Sequence, residues 1–246
     1  MRLVMLQSLL GAFGCTASVF ETVIPTANSK RLWPDITDHR RFSSFPPDGR
    51  AAVRQVKKEE CSMEITGAQI LVEGLLREGV EKILGYAGAT ICPLADVLRA
   101  TPQLDYTLVR NEQNAGHMAS GYARVTGKVG VCIVTSGPGA TNLLTGIATA
   151  YMDSIPLVAF TGQVPSNLLG RDIFQEVDIT GAASPFSKHS YLVKDAADLP
   201  QIISEAFYIA STGRPGPVLI DVPIDIQQQV VQDPVFPDQV HIRGYN

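Results

Sequence analysis

Two places along the 246-residue chain gather residue types that could do chemistry. Arg110-Asn-Glu112 opens an Ala-rich stretch. A carboxylate there either offsets the positive end of a helix or sits in an apolar cleft where it can share a proton with a ligand. Ser136-Gly-Pro-Gly-Ala-Thr-Asn142 joins an apolar run to a second helical stretch. Its glycines let a ligand approach the backbone, and the helix start offers free amides. It is not a P-loop, since no Gly-Lys-Ser/Thr follows. It also fails the dinucleotide fingerprint. Asn142 stands where the third Gly belongs, and the next strand, ending at Thr161-Gly-Gln163, supplies no acid for a ribose. His117 on the Glu112 helix and the pair Lys188-His189 in a loop have ordinary readings as packed or solvated side chains. The sequence has no Gly-x-Ser-x-Gly elbow and no His-Glu-x-x-His pair, so hydrolase chemistry has little support.

The elements that must position these residues alternate between helix and strand from Met63 onward. Thr66-Gly-Ala-Gln69 fits a capping box. Leu71, Leu75, Leu76 and Val80 then share one helical face, and Gly79 closes the helix. Strands are expected at 82–86, 106–109, 129–135, 156–161, 191–193 and 217–222, and further helices at 92–100, 112–125, 143–152 and 199–212. The run 129–135 is apolar throughout, as in a strand buried on both faces. Ala115, Ala119 and Ala123 form a small-residue ridge suited to close helix packing. This order predicts a three-layer α/β fold, a parallel sheet with helices on both faces. Ligands of such sheets bind at the carboxyl ends of the strands. Residues 163–190 read as loop-rich, and 229–246 as a linker stub.

Composition sets the outer limits. The chain is 45% hydrophobic and 18% charged, which suits a protein with a sizeable core. Residues 1–62 carry nine Lys/Arg against six Asp/Glu, and the rest carry eleven against eighteen. With a net charge of −4 there is no overall basic field, so nucleic acid is not an expected partner. Four cysteines stand far apart, at Cys15, Cys61, Cys92 and Cys132. With no CxxC pair and no Cys/His cluster, a disulfide framework or zinc site is not expected, which suits a reducing, cytoplasmic compartment. Beyond the first segment no run of about 18 apolar residues occurs, so no membrane span is expected. Met1–Phe20 loosely resembles a secretory signal, but its cationic region is one Arg and Gln7, Ser8 and Thr16 interrupt it. Residues 1–62 read as an unstructured or artefactual extension, with Met63 as the natural start of a domain at 63–228.

The whole motif set carries a family likeness. It comprises Thr66-Gly-Ala-Gln-Ile-Leu-Val-Glu73, Arg110-Asn-Glu-Gln113, His117 to Arg124, Ser136-Gly-Pro-Gly-Ala-Thr-Asn-Leu143, Thr161-Gly-Gln-Val-Pro165, Asp172-Ile-Phe-Gln-Glu176, Lys188-His189 and Gly213-Arg-Pro-Gly-Pro-Val-Leu-Ile-Asp-Val-Pro223. This resembles the N-terminal pyrimidine-binding domain of thiamine-diphosphate enzymes, most closely that of the acetolactate synthase large, catalytic subunit family. The resemblance implies the pyrimidine-domain fold and gives Glu112 a catalytic role. Its carboxyl would bond the ring nitrogen of the cofactor's aminopyrimidine and favour the imino tautomer, whose exocyclic nitrogen takes the proton from the thiazolium C2. The resulting carbanion attacks pyruvate, which loses carbon dioxide and is joined to a second 2-keto acid; the protein supplies tautomer control and position. By the same likeness Pro138, Asn142 and Gly88 bind the cofactor, and Gln163, Phe174, Gln175 and Lys188 lie on the substrate side. The chain departs from the family at 86–90, where Tyr-Ala-Gly-Ala-Thr replaces Tyr-Pro-Gly-Gly-Ala. It departs also at Arg171, where Thr is usual, and at Asn111 and Asn114, where His and Gly are commoner.

The family grips the diphosphate through Mg2+ on a Gly-Asp-Gly and Asn-Asn motif of a separate domain, and holds FAD mainly on a middle domain. Neither motif occurs in this sequence, so no metal ligands are expected in it. The resemblance therefore implies one domain of a branched-chain amino-acid biosynthetic carboligase, inactive alone, with Mg2+ and FAD expected only in the complete enzyme. Its implied partners are a second copy, through the pyrimidine domain, and a regulatory small subunit. The alternatives are a stand-alone pyrimidine-domain subunit of a split decarboxylase, paired with a diphosphate-domain chain, and a non-catalytic cofactor-binding module.

Overall fold

The computed structural model describes residues 64–245; the expectations for residues 1–62 and for Met63 as a start lie outside them. The chain opens with β1 (Glu64–Thr66) and α1 (Gly67–Arg77), then β2 (Lys82–Tyr86), α2 (Cys92–Arg99), β3 (Asp105–Leu108) and α3 (Glu112–Thr126). There follow β4 (Gly130–Val134), α4 (Pro138–Met152), β5 (Leu157–Gln163), the short α5 (Ile179–Ala183), β6 (His189–Leu192) and α6 (Leu199–Ser211). The last elements are β7 (Pro217–Pro223), α7 (Ile224–Gln228) and β8 (Val230–Gln232). Six strands form one parallel sheet in the order β3-β2-β4-β5-β7-β6.

Alternation along the central strands sorts the core into two layers. Ile83, Val131, Ile133, Val158, Phe160, Val218 and Ile220 face one way and pack with α1, α2 and α6. Leu84, Cys132, Val134, Leu157, Ala159 and Leu219 face the other way and pack with α3, α4 and α5. Every residue of β4, β5 and β7 is buried. This is the three-layer arrangement expected from the alternation of elements. The capping box is also present: Gln69 N donates to Thr66 Oγ1 at 3.3 Å, and Thr66 N donates to Gln69 Oε1 at 2.8 Å.

In two places the fold differs from the expected one. α4 starts at Pro138 rather than near Leu143. Gly137 takes a positive φ of 59°, which turns the chain sharply, and the fixed φ of Pro138 suits a first helical position. The Gly-Pro-Gly segment is thus the head of the helix and not a loop before it. Residues 229–245, expected as a linker stub, fold back on the domain. β8 pairs antiparallel with β1, and Phe236, Ile242 and Tyr245 pack partly buried against the core.

α3 and α4 touch almost backbone to backbone. A Cβ on Gly116 would lie 2.9 Å from Gly146 Cα, and one on Gly146 would lie 2.8 Å from Gly116 Cα. Gly121, on the same helix, has nothing within 4 Å of an added Cβ. Gly116→Val is therefore expected to destabilise by about 2–3 kcal/mol through overpacking. Gly121→Ala is expected to stabilise by about 0.5–1 kcal/mol through helix propensity. Urea unfolding of the two variants checks both signs.

Candidate functional site

The sheet order reverses direction between β2 and β4. From β2 the chain moves outward to β3, and from β4 it moves the other way to β5. The segments leaving these two strands therefore diverge and open a crevice at the carboxyl edge, the place where open α/β sheets bind ligands. Gly88 lies on the segment after β2, and Thr135 to Gly139 on the segment after β4.

Glu112 is the first residue of α3, yet it does not cap the helix. Asn111 does so, its Oδ1 accepting from Gln113 N at 2.9 Å. Glu112 is only 8% exposed, and its Oε2 accepts from Asn142 Nδ2 at 2.9 Å. The other oxygen faces bare backbone, because a Cβ on Gly139 would lie 3.1 Å from Glu112 Oε1. The ordinary capping reading thus gives way to a buried carboxyl with one oxygen held and one turned toward space kept open by a glycine. Thr135 is wedged between two glycines: added Cβ atoms on Gly88 and on Gly139 would each come within 2.6 Å of its side chain. Pro138 exposes its ring at the head of α4.

The substrate-side candidates divide. Phe174 is 67% exposed, and Gln175 lies directly over Gly137, whose added Cβ would meet Gln175 O at 2.8 Å. Both belong to a loop after β5 that is braced by the Glu176 carboxylate. Glu176 accepts from Gly170 N and Ile173 N, and the Gly170 amide foremost holds its carboxyl below the usual range, with burial opposing. Gln163 is closed off. It is 2% exposed, and its Nε2 donates to Val177 O and to Asp221 Oδ2, both at 2.9 Å, while its Oε1 accepts from Val164 N.

Lys188 is not brought to the crevice in this chain. It immediately precedes β6, whose first residue pairs with Val218 near the start of β7, so it sits at the amino edge of the sheet. Its ammonium donates to the carbonyls of Ile209 and Thr212 at the end of α6 and to Tyr245 Oη. There it satisfies helix-end carbonyls and ties down the last described residues.

Sequence reasoning marked Asn111 only as a departure from the family pattern and did not single out Thr135 or Asp221. Asp221 had a visible mark, being the one acid inside the apolar strand β7. It is 2% exposed, receives Thr161 Oγ1 at 2.6 Å as well as Gln163, and has no ion-pair partner among the described residues. Burial pushes its carboxyl up to about 7, against the lowering pull of the Thr161 and Gln163 hydrogen bonds. Cys132 is similarly pushed up to about 12 by burial and is an inert core residue.

Among the described residues no group of three His, Cys, Asp or Glu side chains could hold a metal ion, and no helix is long and apolar enough to cross a membrane. The donor set suits a planar heterocycle with a ring nitrogen. Glu112 Oε1 lies beside the Gly139 backbone, where a Cβ would crowd it.

This crevice and its carboxyl agree with the family comparison. Residues 65–182 match the thiamine pyrophosphate enzyme N-terminal TPP binding domain and belong to that family. Over much the same stretch the chain is similar to acetolactate synthases and their large subunits. The chain is 52% identical over 186 residues to the acetolactate synthase large subunit of Buchnera aphidicola subsp. Schizaphis graminum (strain Sg), covering 75% of this chain and 33% of the relative. It is 52% identical over 192 residues to the acetolactate synthase of Arthrospira platensis, covering 76% and 33%. It is 51% identical over 183 residues to the acetolactate synthase isozyme 3 large subunit of Escherichia coli (strain K12), covering 74% and 32%. The chain spans about a third of the length of these relatives.

The buried Asp221 gives a pH dependence of known sign. Its folded value of about 7 lies above the ordinary 3.8, so between these limits the folded state keeps a proton that the unfolded state has lost. Its contribution to stability therefore falls as pH rises from about 4 to 7, at up to about 1.4 kcal/mol per pH unit, and is flat above. Chemical denaturation of the wild type and of Asp221→Asn across pH 4–8 should show that the difference between them carries this slope.

Proposed function

We propose that this domain binds the aminopyrimidine half of thiamine diphosphate and forms one side of the active site of an acetolactate synthase-type carboligase. The observation that carries this reading is the Glu112 carboxyl, with Oε2 held by Asn142 and Oε1 turned toward the space beside Gly139. Thiamine diphosphate, when bound, supplies the nucleophile and electron sink for decarboxylating pyruvate and joining it to a second 2-keto acid.

The chain's own residues bind and orient. Glu112 Oε1 would hydrogen-bond the ring nitrogen of the aminopyrimidine and so favour one tautomer of the ring. Asn142 holds Oε2 as an acceptor and keeps the carboxyl in place. Gly88 and Gly139 let the ring approach the backbone, and Pro138 offers an apolar ring at the rim. Phe174 and Gln175 lie on the substrate side. Gln163 and Lys188 act at one remove, as anchors of the loop after β5 and of the chain end.

In the complete enzyme Mg2+ and FAD would be held by residues outside this domain, the Mg2+ on a diphosphate-binding domain and the FAD mainly on a middle domain. A second copy pairs with this one through the pyrimidine domain. The relatives' designation as large subunits supports a small regulatory partner. The assembly works in the cytoplasm on branched-chain amino-acid biosynthesis.

Two measurements test the reading. In an isotope-labelled chain, added thiamine diphosphate should shift the amide signals of Gly88, Glu112 and the Ser136–Gly139 turn, and Glu112→Ala should abolish the shifts. In an enzyme assembled from this domain and a diphosphate-binding domain, Glu112→Gln should lower kcat by at least about 10²-fold, the scale of a lost proton-transfer group, with little change in Tm. Shifts confined to the amino edge of the sheet, or an equally active Glu112→Gln enzyme, would overturn the assignment.

A further inference from the structure

Thr90 is a buried hydroxyl residue to which the structure gives a task. The side chain is 2% exposed and lies at the carboxyl edge of the sheet, on the turn between Gly88 and α2. Its Oγ1 is 2.9 Å from Thr135 Oγ1 and accepts from Ser136 N at 3.0 Å. Its carbonyl accepts from Gln227 Nε2 at 2.8 Å. It is pressed against β5 as well, since a Cβ on Gly162 would lie 2.4 Å from Thr90 Oγ1. One buried hydroxyl thus joins the segment after β2 to the segment after β4, the two walls of the crevice.

β2 and β4 pair as far as Tyr86 and Val134, and beyond that pair the hydrogen bonds of Thr90 link the two walls. The Ser136 side-chain hydroxyl is buried without a partner, so it makes no cross-link of its own. Thr135 fills the gap between Gly88 and Gly139 by shape alone, and its hydroxyl is oriented through Thr90. A methyl group in place of the Thr90 hydroxyl would leave the Ser136 amide without its acceptor in a dry site. Leaving a buried donor unpaired costs more than an average hydrogen bond contributes.

We infer that Thr90 is a positioning residue: its hydroxyl bridges Thr135 and Ser136 and makes the Gly88 wall and the Ser136–Gly139 wall move as one unit. That such a unit serves the pyrimidine ring rests on the function proposed above. The bridge itself does not, and the experiment separates the two.

Amide hydrogen exchange is followed by NMR in the full chain and in Thr90→Val, Thr90→Ala and Thr90→Ser. Val keeps the shape without the hydroxyl, Ala removes both hydroxyl and methyl, and Ser keeps the hydroxyl. Exchange at Ser136 is read against Ala159 and Phe160 in β5, which report global opening. Relative to these, Val and Ala should speed exchange at Ser136 by about tenfold or more, as expected when a buried donor loses its acceptor. Ser should restore it to within about threefold of the wild type. Unchanged Ser136 exchange in both Val and Ala, or failure of Ser to restore it, would overturn the bridge. Titration with thiamine diphosphate then reads its use. The concentration that half-shifts the Gly88 and Glu112 signals should rise at least threefold in Val and return in Ser. An equal midpoint in all four chains would overturn the positioning role while leaving the bridge. A wild type that shows no shift would count against the proposed function instead.

Discussion

The hydrogen bond from Asn142 to Glu112 depends on a contact one helical turn away. Glu112 and Gly116 stand four residues apart on α3, and Asn142 and Gly146 four apart on α4, so each pair lies on one helical face. Where Gly116 meets Gly146, the two backbones come as close as bare Cα atoms allow. One turn nearer the helix starts, that separation is spanned by a carboxyl and an amide at 2.9 Å. A side chain at either glycine would spread the helices and break the bond that selects which Glu112 oxygen faces the crevice. The early start of α4 belongs to the same constraint, since Asn142 is helical only because Gly137 and Pro138 begin the helix before it.

The two edges of the sheet treat charge differently. Ion pairs gather at the amino edge, with Lys82 on Asp105 and Lys128 on Glu81, and Lys188 finds carbonyls there. At the carboxyl edge the two buried carboxyls, Glu112 and Asp221, are met by neutral amides and a hydroxyl, and neither has an ion-pair partner among the described residues. An adjacent cation would lower the pKa of a buried carboxyl, and Asp221 has none beside it to oppose its burial. At Asp221 burial has already moved the balance toward the neutral acid.

Much of this architecture was legible in the sequence. Unbroken apolar runs mark β4, β5 and β7, because strands covered on both faces have no polar side to show. The capping box and the Ala ridge of α3 were legible because local hydrogen bonding and close packing each demand particular residues at fixed spacing. Glu112 was readable as a candidate, but its role was not, since a carboxylate at a helix start looks the same whether it caps or is held for a ligand. Only the geometry shows that Asn111 has taken over the cap. Spacing also gave no warning that Gln163 would be fully occupied, or that Lys188 would lie at the far edge. Side-chain partners from β7, the loop after β5 and the end of α6 decide those cases, and they are distant in sequence.

Gly88 shows how packing, rather than backbone geometry, shapes the crevice. Its φ of −150° is ordinary extended backbone, so turn geometry does not explain the glycine. What excludes a side chain there is Thr135, 2.6 Å from where a Cβ would stand, and Thr135 is in turn aligned by Thr90. The same side chain excludes a Cβ at Gly139, which keeps Glu112 Oε1 uncovered. The glycines of this crevice are therefore fixed by one threonine packed between them, and the open space beside the carboxyl follows from that packing. A side chain at either position would meet Thr135, and one at Gly139 would also crowd Glu112 Oε1.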